Sequence, residues 1–273
     1  MAPTGYFTDD SMLRRVQREF AVAFAGPRAL LMQAAHPVAF AGFFASTTAL
    51  EDPYPRLERT AKVLTAVAWG TRAQADAATA PVRAVHARVR GALREPVGRF
   101  GAGTPWRADD PELLLWILAT LVDSNLLVYQ RYVGRLTRAE QEAYWQDFRV
   151  VGELFGLPRS ASPATIGDFE DYLRGMLRSG DLEVGPQARE LAVGIVMRPP
   201  LPPHLLPVRE LVNQITVGLL PREVRRLYGF HWDPLRAAAV RGGQEYVRRL
   251  VLPVLPSRLR LSPSARAAAA QAA

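Results

Sequence analysis

The sequence predicts an all-α protein folded as a single domain. Three observations carry that expectation. Apolar residues recur at helical spacing in one segment after another, no segment shows the alternation of a strand, and no internal repeat is present. The stretches joining the helices are short and hydrophobic helices sit at both ends. No domain boundary is therefore expected within residues 1–255, and 256–273 read as a frayed tail. At 273 residues and 49% hydrophobic content, the chain can bury a sizeable core.

Each element can be justified in turn. DDSMLRRVQREFAVAFAG offers Asp and Ser as N-caps, places Leu13, Val16, Phe20 and Phe24 at helical spacing, and has Gly26 as a stop. Pro27 opens the next helix, PRALLMQAAHPVAFAGFFAS. Pro37 should split that helix just after His36, since proline lacks the N–H and crowds the preceding turn. DPYPRLERTAKVLTAVAWG aligns Leu57, Ala61, Leu64 and Ala68 on one stripe and ends on Gly70. Thr71 can cap RAQADAATA, Pro81 reads as an interruption, and VRAVHARVR follows up to Gly91. Residues 92–110 read as a loop by their Gly and Pro. PELLLWILATLVDSNLLVYQRYV is apolar nearly all round, which predicts a buried central helix. Thr137 and Glu140 form a capping box ahead of the next helix. Further helices fit 163–178, 186–197, 207–219, 221–228 and 234–252, with RPPLPPHLLP as a proline-stiffened connector.

Composition excludes several chemistries. There is no cysteine, hence no disulfide, thiolate metal site, Fe–S cluster or covalent haem attachment. No Walker loop, Gly-x-Gly-x-x-Gly, Gly-x-Ser-x-Gly, His-Glu-x-x-His or paired Glu-x-x-His set occurs, which gives hydrolysis, phosphoryl transfer and di-iron chemistry little support. The N-terminal MAPTGYFTDDSMLRRV lacks an apolar run behind basic residues, and no window holds 18 consecutive apolar residues. The expectation is a cytoplasmic chain with no membrane span. The net charge of +8 sits mostly near the C-terminus, where Arg222 to Arg266 hold ten arginines against Glu223, Asp233 and Glu245. Such a stretch serves either as a solvated basic surface or as contact with nucleic acid or an anionic membrane. Lys62 is the single lysine.

The four histidines differ in setting. His204 lies in the proline-rich connector, and His231 follows a helix stop where it could cap carbonyls. His36, before Pro37 on an apolar helix, is either a satisfied core histidine or a pocket residue. His86 stands out by its company. Arg83 and Arg90 share its helix face by spacing, and no acidic residue lies within eight positions. That setting biases the imidazole towards neutral. A neutral imidazole can ligate haem iron or a transition metal, and the two guanidiniums match the two propionates of a haem. The same residues would also fit a helix with a basic solvent face. Upstream, Arg56 and Thr60 stand at i and i+4, forming either a polar corner of an apolar pocket or a surface arginine beside a threonine bonded back to its helix.

RALLMQAAHPVAFAGFFAS, DPYPRLERTAKVLTAVAWG, VRAVHARVRG and ITVGLLPREVRRLYGFHW resemble, in order and spacing, the DUF2236 family, which includes rubber oxygenases (latex clearing proteins) and MpaB-type oxygenases. The resemblance covers roughly residues 11–250. It implies an all-α fold with a globin-like core, non-covalent haem b, and oxidative cleavage of carbon–carbon double bonds with dioxygen. The family's Arg-x-x-His matches Arg83 and His86, making His86 the implied iron ligand. Its Arg-x-x-x-Thr matches Arg56 and Thr60 on the distal side. Two departures matter. Rubber oxygenases carry a lysine just before that threonine, where this chain has Arg59, whose guanidinium offers no lone pair. Rubber oxygenases are also secreted, which a chain without a signal peptide does not match. The implied activity is a haem-dependent oxygenase acting on an apolar small molecule such as an isoprenoid. A haem sensor or carrier without turnover, or a basic helical module binding nucleic acid, are the other readings.

Overall fold

The structure is a computed structural model that describes residues 4–44 and 52–272. Among them are fourteen α-helices and one small antiparallel hairpin, so the all-α expectation holds. Helix α1 spans Met12–Gln17, α2 Ala25–Ala34, α3 Pro37–Ala41, α4 Tyr54–Trp69 and α5 Arg72–His86. The hairpin pairs β1, Arg90–Ala92, with β2, Pro105–Arg107. Then come α6 Pro111–Val128, α7 Arg138–Leu154, α8 Ile166–Arg178, α9 Pro186–Met197, α10 Leu206–Leu219, α11 Arg222–Tyr228, α12 Pro234–Tyr246, α13 Ser257–Arg260 and α14 Pro263–Ala272.

Helix α6 organises the core because it is apolar on all sides. Leu115, Leu118, Ala119 and Val122 join one cluster with α1 and α7, while Trp116 joins a second with α2, α9 and α11. Pro111–Val133 is long and apolar enough to cross a membrane, yet most of it is buried against its neighbours. Local signals act as their chemistry predicts. Thr71 and Thr137 each close a capping box, with Gln74 and Glu140 respectively. Pro37 does split α2 from α3, with His36 as N-cap. The last residues of that predicted segment, Ala45 and Ser46, lie outside the described residues.

Three expectations are corrected. Pro81 does not interrupt α5, which runs through it. The proline removes only the bond to the Ala77 carbonyl, and both residues are exposed, so water can satisfy the acceptor. Gly26 is not a stop. The chain instead leaves α1 at Glu19, which turns extended to bridge Leu261, and α2 then begins at Ala25. The segment expected to fray is anchored at Arg260, Ser262 and Ala265. Arg260 bonds the buried Glu19 carboxylate at 2.8 and 3.0 Å, the Ser262 N–H donates to the Arg18 carbonyl at 2.7 Å, and Ala265 of α14 is buried.

Candidate functional site

The expected haem-binding face is only partly helical. His86 is the last residue of α5, and its ring is half-buried. Arg83 precedes it by one turn, as the spacing predicts. Arg90 does not follow on the same face, because the helix ends at His86. Arg90 lies instead in β1, exposed, opposite Arg107. The break is built around Trp106. Gly91 faces it across the hairpin, and a Cβ at Gly91 would stand 2.8 Å from the indole. Trp106 in turn packs with Val38 and Ala41 of α3, so the hairpin closes over α3 rather than extending α5.

The His86 ring is kept neutral. Burial comes first in holding its pKa below the usual imidazole range. The Arg56 cation adds to this, and the Asp109 carboxylate opposes it. Asp109 is held by Arg107 through bonds of 2.9 and 2.8 Å. Sequence distance conceals Asp109, because the hairpin is what returns it to His86. The Nδ1 atom of His86 is buried and has no hydrogen-bond partner among the described residues. Buried polar atoms are rarely left so, and such an atom marks the place where a bound group would act.

Arg56 sits on the first turn of α4. Its Nη1 donates to the Phe43 carbonyl at 3.3 Å, and its guanidinium carbon lies 4.3 Å from the centre of the Phe43 ring. Burial, and secondarily Arg59, lower its pKa. Thr60 is exposed, and its hydroxyl donates back to the Arg56 carbonyl at 3.1 Å, the local bond that a helical threonine commonly makes. Arg56 and Thr60 are therefore joined through backbone, not through a side-chain pair.

Arg83 reaches towards the end of α7. Its Nη1 donates to the Leu154 carbonyl at 2.6 Å and to Thr79 Oγ1 at 3.1 Å, and its stem passes Gly156, where φ is +96°. His36 lies at the other end of α3 from Phe43. It is buried between Phe100 and Trp116, with ring centroids at 5.7 and 6.2 Å. Its Nδ1 accepts the Ala39 N–H at 3.2 Å, so the ring is a satisfied helix cap. Burial lowers its pKa foremost, against the pull of Asp181. The neighbouring Trp116 Nε1 is buried without a partner. His204 and His231 are exposed, apart from this region.

Among the described residues, no group of three or more His, Cys, Asp or Glu side chains converges as a metal site, so a metal held by several protein ligands has no support there. A chelated iron needs only one protein donor, a requirement that several converging side chains do not test.

A family model for the catalytic domain of ER-bound oxygenase mpaB/B'/rubber oxygenase matches residues 13–251, nearly the span of the resemblance read from the sequence. Two mycobacterial relatives, uncharacterized protein Mb2261 of Mycobacterium bovis and uncharacterized protein Rv2237 of Mycobacterium tuberculosis, are each 27% identical over 188 residues, covering 67% of this chain and 69% of theirs. No solved structure matches the chain.

Proposed function

The chain belongs to the family of ER-bound oxygenase mpaB/B'/rubber oxygenase catalytic domains, and on that premise we propose that it is a haem b-dependent oxygenase acting with dioxygen on an apolar small molecule such as an isoprenoid. The observation that carries this reading is the state of His86: half-buried, held neutral by burial and Arg56, and orphaned at Nδ1. A neutral imidazole keeps a lone pair for iron, and the second ring nitrogen is then free to be oriented by a neighbour. The residues present thus fit a haem that His86 would hold through its imidazole.

Haem, when bound, supplies the dioxygen chemistry. The chain's own residues do the rest. Arg56 keeps a proton off the His86 ring by placing a fixed cation near it. Its guanidinium, fixed against Phe43, would be a preorganised donor to bound dioxygen or substrate, with the Thr60 hydroxyl one helical turn away. The donors of Arg83 not engaged by Leu154 and Thr79, together with exposed Arg90, would hold the propionates of a haem. Arg59, always charged, leaves no lysine-type amine to cap the iron.

The test is the absorbance spectrum of the purified chain, with and without added haemin. A Soret band is expected, lost in His86→Ala while far-UV helicity persists. Full haem with an unchanged spectrum in His86→Ala would shift the ligand assignment to His36. A wild-type chain that takes up no haem would remove the cofactor from the reading. Oxygen uptake with an isoprenoid separates an oxygenase from a haem carrier.

A further inference from the structure

A second region is built for a different ligand. The ends of α6 and α10, helix α11 and helix α12 line an open cavity of about 720 Å3. Six guanidiniums line it: Arg28, Arg131, Arg222, Arg225, Arg226 and Arg241. One carboxylate, Asp233, also does, but it is engaged by the Arg236 backbone N–H at 2.8 Å and the Arg236 side chain at 3.3 Å. Arg28 is neutralised by Asp123 at 2.6 Å. The other five have no carboxylate within ion-pair distance among the described residues, although most arginines that act structurally in this fold have a definite carbonyl or carboxylate partner.

The cavity is also shaped. Arg225 donates through Nη1 to the Val217 and Gly218 carbonyls at 3.3 and 3.2 Å, and its guanidinium carbon lies 5.4 Å from the Trp232 ring centre. Gly218 makes that stacking possible, because a Cβ there would stand 2.6 Å from the indole. Arg225 is thereby fixed before any ligand arrives, although burial and Arg222 both disfavour its charge. Leu127, Phe230, Trp232 and Val240 add an apolar wall. Concentrated like charges in a concavity raise the local concentration of anions, and guanidinium forks suit phosphate oxygens. The space is a pocket, not a ridge or flat face, so it suits a small ligand better than a nucleic-acid duplex.

We propose that this arginine-lined cavity binds a compound bearing a diphosphate, or two neighbouring phosphates, with its apolar portion against Trp232 and Phe230. The site is separate from His86 and does not depend on the haem reading. The ligand's phosphates come either from a soluble compound or from a lipid headgroup.

The experiment is calorimetric titration of the full chain with inorganic pyrophosphate at low and moderate salt. Saturable 1:1 binding that weakens with salt is expected. Arg222→Gln combined with Arg226→Gln, both exposed, should weaken it about tenfold or more without lowering the thermal midpoint, since a charge-assisted bond accounts for roughly that factor. Arg178→Gln, on α8 away from the cavity, should leave it unchanged. Absence of saturable binding, or equal loss in the Arg178 variant, overturns the site. Tighter binding of a DNA duplex than of pyrophosphate, lost in the double variant, overturns the ligand class. Co-sedimentation with vesicles containing phosphatidic acid, reversed by pyrophosphate, identifies a lipid source. Pyrophosphate binding without co-sedimentation identifies a soluble one.

Discussion

Arg83 is where a cofactor role and a structural role can be pulled apart. Its Nη1 donates to the Leu154 carbonyl at 2.6 Å, at the C-terminal end of α7, where carbonyls lack helical partners. Arg83→Met keeps most of the stem and removes the donors. Loss of a hydrogen bond to a charged donor costs about 1.5–3 kcal/mol. For a chain of this size each kcal/mol lowers the thermal midpoint by about 2–4 °C, so a fall of about 3–12 °C is expected. The same variant should weaken haem retention about 10- to 100-fold if the remaining guanidinium edge holds a propionate. Calorimetry on haem-free protein and the Soret-to-280 nm ratio after gel filtration read the two effects separately. An unchanged midpoint would refute the capping role. A lowered midpoint with undiminished haem retention would leave Arg83 as a cap alone and remove it from the cofactor site.

Other perturbations give distinct signatures. Arg56→Met should raise the His86 pKa towards the ordinary imidazole value, followed by NMR titration of the ring, because it removes the nearby cation; haem should stay bound while oxygen uptake falls. His36 and His86 both have lowered pKa values in the folded chain, so the unfolded chain binds protons first as pH falls. Their contribution to stability is therefore complete above about pH 6.5 and declines below it. Urea midpoints between pH 8 and pH 5 should show this decline, and His36→Asn, which keeps an N-cap, should flatten it; an equal slope in that variant would refute the assignment. Arg260→Ala removes both hydrogen bonds to the Glu19 carboxylate, whose side chain is 1% exposed, leaves it only Arg18 at 3.6 Å, and should cost about 1.5–3 kcal/mol. Glu19→Gln should cost less, and proteolysis of the C-terminal segment should quicken in both.

The sequence was most legible where local chemistry decides the outcome. Thr71 and Thr137 cap their helices because the hydroxyl and the acceptor three residues on satisfy two backbone donors at once. Pro37 splits its helix because the residue before a proline is driven to extended backbone, and His36 has φ −103° and ψ 105°. Apart from Pro81, the misses involve partners distant in sequence. Glu19 leaves its helix to meet Arg260, 241 residues later. Arg90 leaves its helix to pair with Arg107, and Gly91 punctuates a hairpin against Trp106 instead of a helix end. At the candidate site, spacing identified His86, Arg83 and Arg56 but could not give their directions. Arg83 and Arg56 point to different neighbours, and Asp109 reaches His86 only through the hairpin.

The arginines show what composition leaves out. In the fold, five of them close helix C-termini that lie elsewhere in the sequence. Arg14 bonds the Ala68 carbonyl at 2.8 Å, Arg28 the Leu219 carbonyl at 2.7 Å, Arg83 the Leu154 carbonyl, Arg189 the Leu227 carbonyl at 2.6 Å, and Arg225 the last turn of α10. A planar fork that stays charged can satisfy unpaired carbonyls and face the negative end of a helix dipole together, which a single ammonium does less well. The choice of arginine over lysine is thus structural at these five positions. Function is then sought where that demand is absent or incomplete. Arg56 has one carbonyl and an aromatic face, and its remaining field falls on His86. Arg131, Arg222, Arg226 and Arg241 line a cavity with no carboxylate partner among the described residues. The first setting would suit a neutral ligand to iron and the second a polyanion, so one residue type marks two candidate sites by what its neighbours leave unsatisfied.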